Sequence, residues 1–140
     1  MNRRLMIVDD EEAIRDSLAR HYSLAGYQVE TACDGLDALG KMAKIPCRVV
    51  VSDIMMPRLD GIGMLRVFRK EYPMTRTIMI SGFVSLGNAL ACMKLGAETC
   101  IFKPFEDLSE LDRDVEAAFA FHERWETKLL ELRGLKGQSG

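Results

Sequence analysis

Two short runs without a polar break, Leu5-Met6-Ile7-Val8 and Val49-Val50-Val51, lead into carboxylates, the first directly into Asp9-Asp10 and the second through Ser52 into Asp53. A strand with one wet face alternates apolar and polar residues, whereas a strand covered on both faces reads as a continuous apolar run. These runs therefore demand helices above and below them. The segments between supply those helices. Ala13, Ile14, Leu18, Tyr22 and Leu24 recur at helical spacing up to Gly26. Tyr27 to Ala32 reads as a second strand, and a helix follows from Leu36 to Lys44, weakened by Gly40. After the loop bracketed by Pro57 and Gly61, Ile62, Leu65 and Phe68 mark a helix that ends before Pro73. Thr77–Ser81 and Thr99–Phe102 complete the strands, Ser85–Leu95 lies between them as a helix closed by Gly96, and a last helix starts near Asp107 or Ser109. Five strand–helix units with short loops predict an α/β fold, a single doubly wound parallel sheet flanked by five helices.

Composition narrows the function classes. The 140 residues suit one domain with a full core. A net charge of −2 gives no basic surface for nucleic acid, and no apolar run approaches a membrane span. Neither nucleic acid nor membrane is expected as a direct partner. Cys33, Cys47, Cys92 and Cys100 lack CxxC spacing and read as reduced core thiols of a cytoplasmic protein. His21 and His122 are too few for a histidine metal centre.

Ligands of open α/β sheets bind beyond the carboxyl ends of the strands. Those ends carry Asp9 and Asp10, Asp53, Ser81 and Lys103. In the commonest five-strand order, 2-1-3-4-5, strands one and three are neighbours, so the three carboxylates converge. Mutual repulsion raises their pKa values unless a cation intervenes, and a hard divalent ion with oxygen ligands, Mg²⁺ above all (or Mn²⁺), is the economical answer. A metal, an ammonium and a hydroxyl around one carboxylate suit a transferring phosphoryl group, with that carboxylate as nucleophile. Each residue also has a plainer role open to it. Asp10 could cap the first helix, Asp53 and Ser81-Gly82 could be turn residues, and Lys103 could be a solvated lysine.

Taken together, Leu5-Met6-Ile7-Val8-Asp9-Asp10-Glu11, Asp53-Ile54-Met55-Met56-Pro57-Arg58-Leu59-Asp60-Gly61, Ser81-Gly82 and Lys103-Pro104-Phe105 resemble the response regulator receiver domain of bacterial two-component signalling, a CheY-like, flavodoxin-like fold. The resemblance implies that Asp53 is the phosphoacceptor. It implies Mg²⁺ ligation by Asp10 and Asp53, by the backbone carbonyl of Met55, and by Asp9 through water. Ser81 would bond the phosphoryl group, Lys103 would pair with one of its oxygens, and the Lys103–Pro104 bond would be cis. Gly82 would leave room for the phosphoryl group. A histidine kinase or phosphotransfer protein is the implied donor. Partner or dimer contacts would be read out on the face of the fourth helix, fifth strand and fifth helix.

One position departs from the family. Three residues before the lysine, where an aromatic switch residue is usual, stands Cys100. A thiol cannot repeat an aromatic rotamer swing, so Phe83 or Phe102 would have to report activation, or the coupling differs. Met55 and Phe83, two residues after the phosphoacceptor and the hydroxyl residue, are apolar and cannot orient an attacking water. Slow self-dephosphorylation is expected.

In the last helix Leu108, Leu111, Val115, Ala118, His122, Trp125, Leu129 and Leu132 follow heptad spacing. The domain should run out near His122, leaving Trp125, Leu129 and Leu132 for a partner helix, in a homodimer or leading to a C-terminal output module, with a helix folded back onto its own domain as the competing reading. Nine acids against four bases in residues 106–133 could oppose such pairing. The expected organisation is a receiver over 1–122, a helical extension over 123–133 and a flexible tail over 134–140. Two other functions share parts of the site: a docking module that takes no phosphate, which the intact five-residue set argues against and Cys100 keeps open, and a small aspartyl-phosphate hydrolase. The hydrolase would need a second Asp where Met55 stands, and a cap domain.

Overall fold

In the computed structural model, residues 3–82, 85–104 and 106–139 are described, with side chains up to 134. Five strands, β1 (Arg4–Val8), β2 (Gln28–Ala32), β3 (Val49–Asp53), β4 (Arg76–Ser81) and β5 (Thr99–Phe102), alternate with α1 (Glu12–Leu24), α2 (Gly35–Lys44), α3 (Gly61–Glu71), α4 (Leu86–Lys94) and α5 (Ser109–Ser139). All pairings are parallel and the order is β2-β1-β3-β4-β5, as expected.

The apolar runs sort themselves between the two faces by parity. Leu5, Ile7, Val49, Val51, Ile78, Ile80 and Ile101 face α1 and α5, where they meet Leu18, Tyr22, Leu111, Val115 and Phe119. Met6, Val8 and Val50 face α2 and α3, and meet Ala38, Met42, Met64 and Phe68. Met79 packs on the same side with Ile54, Leu65 and Cys92. Successive side chains of a strand point to opposite faces, so an unbroken apolar run fills two cores at once.

Three expectations need correction. Leu24 does not join the α1 stripe: it is exposed, two residues before Gly26, whose φ of 98° ends the helix. Cys33 is not a core thiol: it lies exposed in the turn between β2 and α2, while Cys47 and Cys92 are buried and Cys100 is half-buried. Residues 134–139 are helical rather than a loose tail, because α5 runs through Gly134 and Gly137 to Ser139. Two helical glycines cost about 1 kcal/mol each relative to alanine, which continuity with a long helix can absorb. Gly140 lies outside the described residues.

The first half of α5 buries Leu111, Val115, Ala118, Phe119 and His122 on the sheet. Arg3 fastens it to the start of β1 by ion pairs with Glu116 and Glu123, lying over the rings of Tyr27 and Phe119. His122 Nε2 bonds the Arg48 carbonyl at 3.1 Å, and Arg48 pairs with Glu126. Beyond these ties Trp125, Leu129, Leu130 and Leu132 are exposed, as the heptad reading expects for Trp125, Leu129 and Leu132.

Candidate functional site

Parallel register assembles the site. Val8 lies opposite Ser52 and Asp53 opposite Ile80, so the residues leaving β1, β3 and β4 share one edge. Asp9 is fully buried, Asp53 and Ser81 nearly so, and Asp10 is exposed at the mouth. Carboxylate oxygens of Asp9, Asp10 and Asp53 lie within 4.8 Å of one another.

Lys103, at the end of β5, supplies the opposing charge. Its Nζ donates to Asp9 Oδ2 at 2.8 Å and to Asp53 Oδ2 at 3.0 Å. The second oxygens are also engaged: Asp9 Oδ1 accepts from Glu11 N–H at 2.9 Å and Asp53 Oδ1 from Met55 N–H at 3.2 Å. Burial pushes the Asp53 carboxyl above its ordinary range, Lys103 opposes the shift, and the Asp9 charge adds to it. For Lys103, burial works against the charged form, but the bonds to Asp9 and Asp53 outweigh it and hold the ammonium above its usual pKa.

The plainer role for Asp10 fails. The N-cap of α1 is Glu11, with no side-chain capping bond, and it is Asp9 that accepts the Glu11 N–H. Lys103 is no solvated lysine either, since its side chain is only 8% exposed. The Lys103–Pro104 bond is cis, and Lys103 N–H donates to the Ser81 carbonyl at 2.8 Å, which ties the two strand ends together. A methyl group on Gly82 would meet Lys103 Cβ at 3.7 Å, ordinary contact, so the lysine does not itself require glycine there.

The loop after β3 is built by contacts that the sequence did not reveal. Gly61 N–H bonds the Ile54 carbonyl at 2.8 Å, and a Cβ on Gly61 would collide with the Asp53 carbonyl oxygen and with Met79. Arg58 sits at φ 63°, unusual for a residue with a Cβ, and its Nε bonds buried Asp34 Oδ2 at 2.6 Å. Asp34 also caps α2 through Asp37 N–H at 2.9 Å, and the Arg58 guanidinium holds its carboxyl below the usual range. The Asp34–Asp37 spacing is a legible cap signal, but Arg58, 24 residues away, has no local signature.

Cys100 packs beside the cluster of Ile54, Leu65, Met79 and Cys92, on the α3–α4 side of the sheet. Burial raises its thiol pKa, with smaller contributions from Cys92 and Asp53. Phe102 stands exposed on β5, and Phe83 lies outside the described residues. Met55 is exposed beside the site.

A cluster of buried carboxylates bridged by one lysine at the carboxyl edge of a 2-1-3-4-5 sheet decides the comparison with known proteins. The profile of the response regulator receiver domain matches residues 5–116. The chain belongs to that family. Response regulator MprA of Mycobacterium bovis (strain BCG / Pasteur 1173P2) is 37% identical over 105 residues, 75% of this chain and 46% of MprA. The chain thus spans less than half the length of this relative. A CheY-like receiver domain protein from Methanospirillum hungatei JF-1 superposes with a TM-score of 0.82 at 29% identity, covering 89% of this chain and 99% of that one. The beryllofluoride-activated NtrC4 receiver domain dimer gives 0.78 at 30% identity, over 84% and 97%. This receiver domain is therefore part of a two-component system. Its acidic cluster is a donor set that fits a hard divalent cation, the kind of ion receiver domains generally use. Among the described residues no helix is long and apolar enough to cross a membrane.

Proposed function

We propose that Asp53 accepts a phosphoryl group from a histidine kinase or phosphotransfer protein in the cytoplasm, and that the phosphorylated domain changes its partner or dimer contacts. The observation that carries this reading is the Lys103 ammonium held between Asp9 and Asp53, in contact distance of both. A divalent cation, Mg²⁺ or Mn²⁺, held by Asp10, Asp53 and the Met55 carbonyl would supply charge to the phosphoryl oxygens. Asp9, the most deeply buried of the three carboxylates, would reach the cation through water. An Asp53 oxygen attacks phosphorus as the donor's bond to it breaks, and Lys103 shifts from Asp53 toward a phosphoryl oxygen. Ser81 would donate its hydroxyl to another.

The readout face is supported by exposed Leu86, Leu90 and Met93 on α4 and Phe102 on β5, an apolar patch that suits a second copy or a target. Exposed Met55 offers no group to orient water, which supports a phosphoryl lifetime of minutes or longer. Loss of label within seconds would reject that lifetime. The central test is intact mass after incubation with a small-molecule phosphodonor and Mg²⁺, in parallel with Asp53→Asn. One added phosphoryl group in the parent and none in the variant is the expected result. No addition to the folded parent would leave the phosphate-independent docking module, which Cys100 keeps open, as the better reading.

A further inference from the structure

The opposite edge of the sheet holds a groove that the phosphoryl chemistry does not use. Pro46, Tyr72, Pro73, Met74, Trp125 and Leu129 wall it, and it encloses about 540 Å³. Trp125, Leu129 and Leu132 are 54%, 60% and 52% exposed, so the stripe on α5 carries one wall of the groove past the end of the domain. We infer that this groove receives the last turns of α5 from a second copy of the chain, with the two helices antiparallel and crossing between Leu129 and Leu132.

Charge fixes the orientation. With Leu108 at heptad position a, Trp125 falls at d, Leu129 at a and Leu132 at d, so Glu126 and Arg133 occupy e and Lys128 occupies g. In a parallel pair a g side chain faces the e side chain five residues further along the other helix. That would set Lys128 against Arg133 of the second copy, twice by symmetry. In an antiparallel pair e faces e, which sets Glu126 against Arg133 of the second copy, also twice. Glu126 already pairs with Arg48 at a partly exposed site and can take a second cation there. The ten steps from Leu129 to Ser139 rise about 15 Å, enough to lie along the groove of a partner. The antiparallel crossing places Leu132 of one copy on Leu129 of the other and covers both groove mouths. Nothing in this interface involves Asp53, so it stands whether or not the site takes phosphate.

The test is sedimentation equilibrium of the unphosphorylated chain over a concentration series, with Trp125 emission followed in parallel. A reversible dimer is expected, with emission shifting to the blue as the dimer forms. Leu129→Asp should remove both signals while the far-ultraviolet circular dichroism of the domain is kept. Arg133→Glu should weaken the dimer about three- to tenfold, as expected for two partly exposed ion pairs, and adding Glu126→Arg should restore it. A parent chain that stays monomeric to millimolar concentration overturns the proposal. So does an Arg133→Glu chain that associates more tightly, the result a parallel pair requires, or a dimer indifferent to Leu129→Asp.

Discussion

The two ends of the sheet are built on opposite principles. At the carboxyl end, charges are packed where water is scarce: Asp9, Asp53 and Lys103 are each less than one-tenth exposed at the side chain, and they satisfy one another. At the amino end, apolar side chains are left where water is plentiful, with Trp125 and Leu129 over a groove floored by loop residues. The first arrangement stores an electrostatic imbalance that a phosphoryl group and a cation can resolve. The second offers an apolar surface that a partner can cover. A receiver of this design has its chemistry and its extended helix at separate ends of one rigid sheet.

The largest break in this contrast should come from Lys103→Ala. Without the ammonium, Asp9 and Asp53 face each other across a buried gap. Phosphoryl acceptance should fall by about a hundredfold or more, and the urea midpoint should drop by the equivalent of about 3 kcal/mol. Added Mg²⁺ should recover more stability in the variant than in the parent, and an unchanged midpoint would show that the lysine does not hold this end together. Gly61→Ala should come next, at about 2 kcal/mol, because its methyl would press on the Asp53 carbonyl and Met79. Thermal melting and the phosphorylation rate should suffer together.

The two ends should also respond to pH with opposite signs. Asp53 has a raised carboxyl pKa, so the native state holds that proton longer than the unfolded chain. Its contribution is present below the ordinary carboxylate range and is lost as pH rises through the window up to the raised value. Burial, together with the charges of Arg48 and Arg76, holds the His122 imidazole below 6.5, against the opposing effects of the Arg48 carbonyl bond and Glu98. The unfolded chain protonates it first, so stability falls as pH drops below about 6.5. Urea titrations across pH should show Asp53→Asn flattening the first slope and His122→Gln the second. If both slopes survive, other groups set the pH response. The smallest effect belongs to Trp125→Ala in dilute solution, where an exposed side chain should change the melting free energy by less than about 1 kcal/mol. A larger loss would mean that the groove is part of the folded core of a single chain.

The same contrast explains what was legible in the sequence. Strand order and the meeting of Asp9, Asp10, Asp53, Ser81 and Lys103 follow from apolar runs that end in chemistry-bearing residues, because parallel strands put all such ends on one edge. The Arg58–Asp34 bond, the Arg3 pairs with Glu116 and Glu123, and the groove under Trp125 depend on residues far apart in the chain. No local period announces them. Leu24 and Cys33 misled for a related reason: apolar character near an element's end says nothing of which way that end turns. Composition misled at residues 134–139, where glycines suggest a loop but sit inside a helix already 25 residues along at Arg133.

The unequal placement of the four thiols has a practical consequence for chemical labelling. Cys33 alone among them is exposed, while burial holds the Cys47, Cys92 and Cys100 thiols above their ordinary pKa. Thiolate is the form that alkylates, so a gentle maleimide reaction on the native fold should stop at one adduct, beside the Asp34 cap. The remaining three thiols become available only as the sheet and its helices part. The ratio of singly to fully alkylated chains then counts opened molecules directly, without a dye, a tag or an added tryptophan.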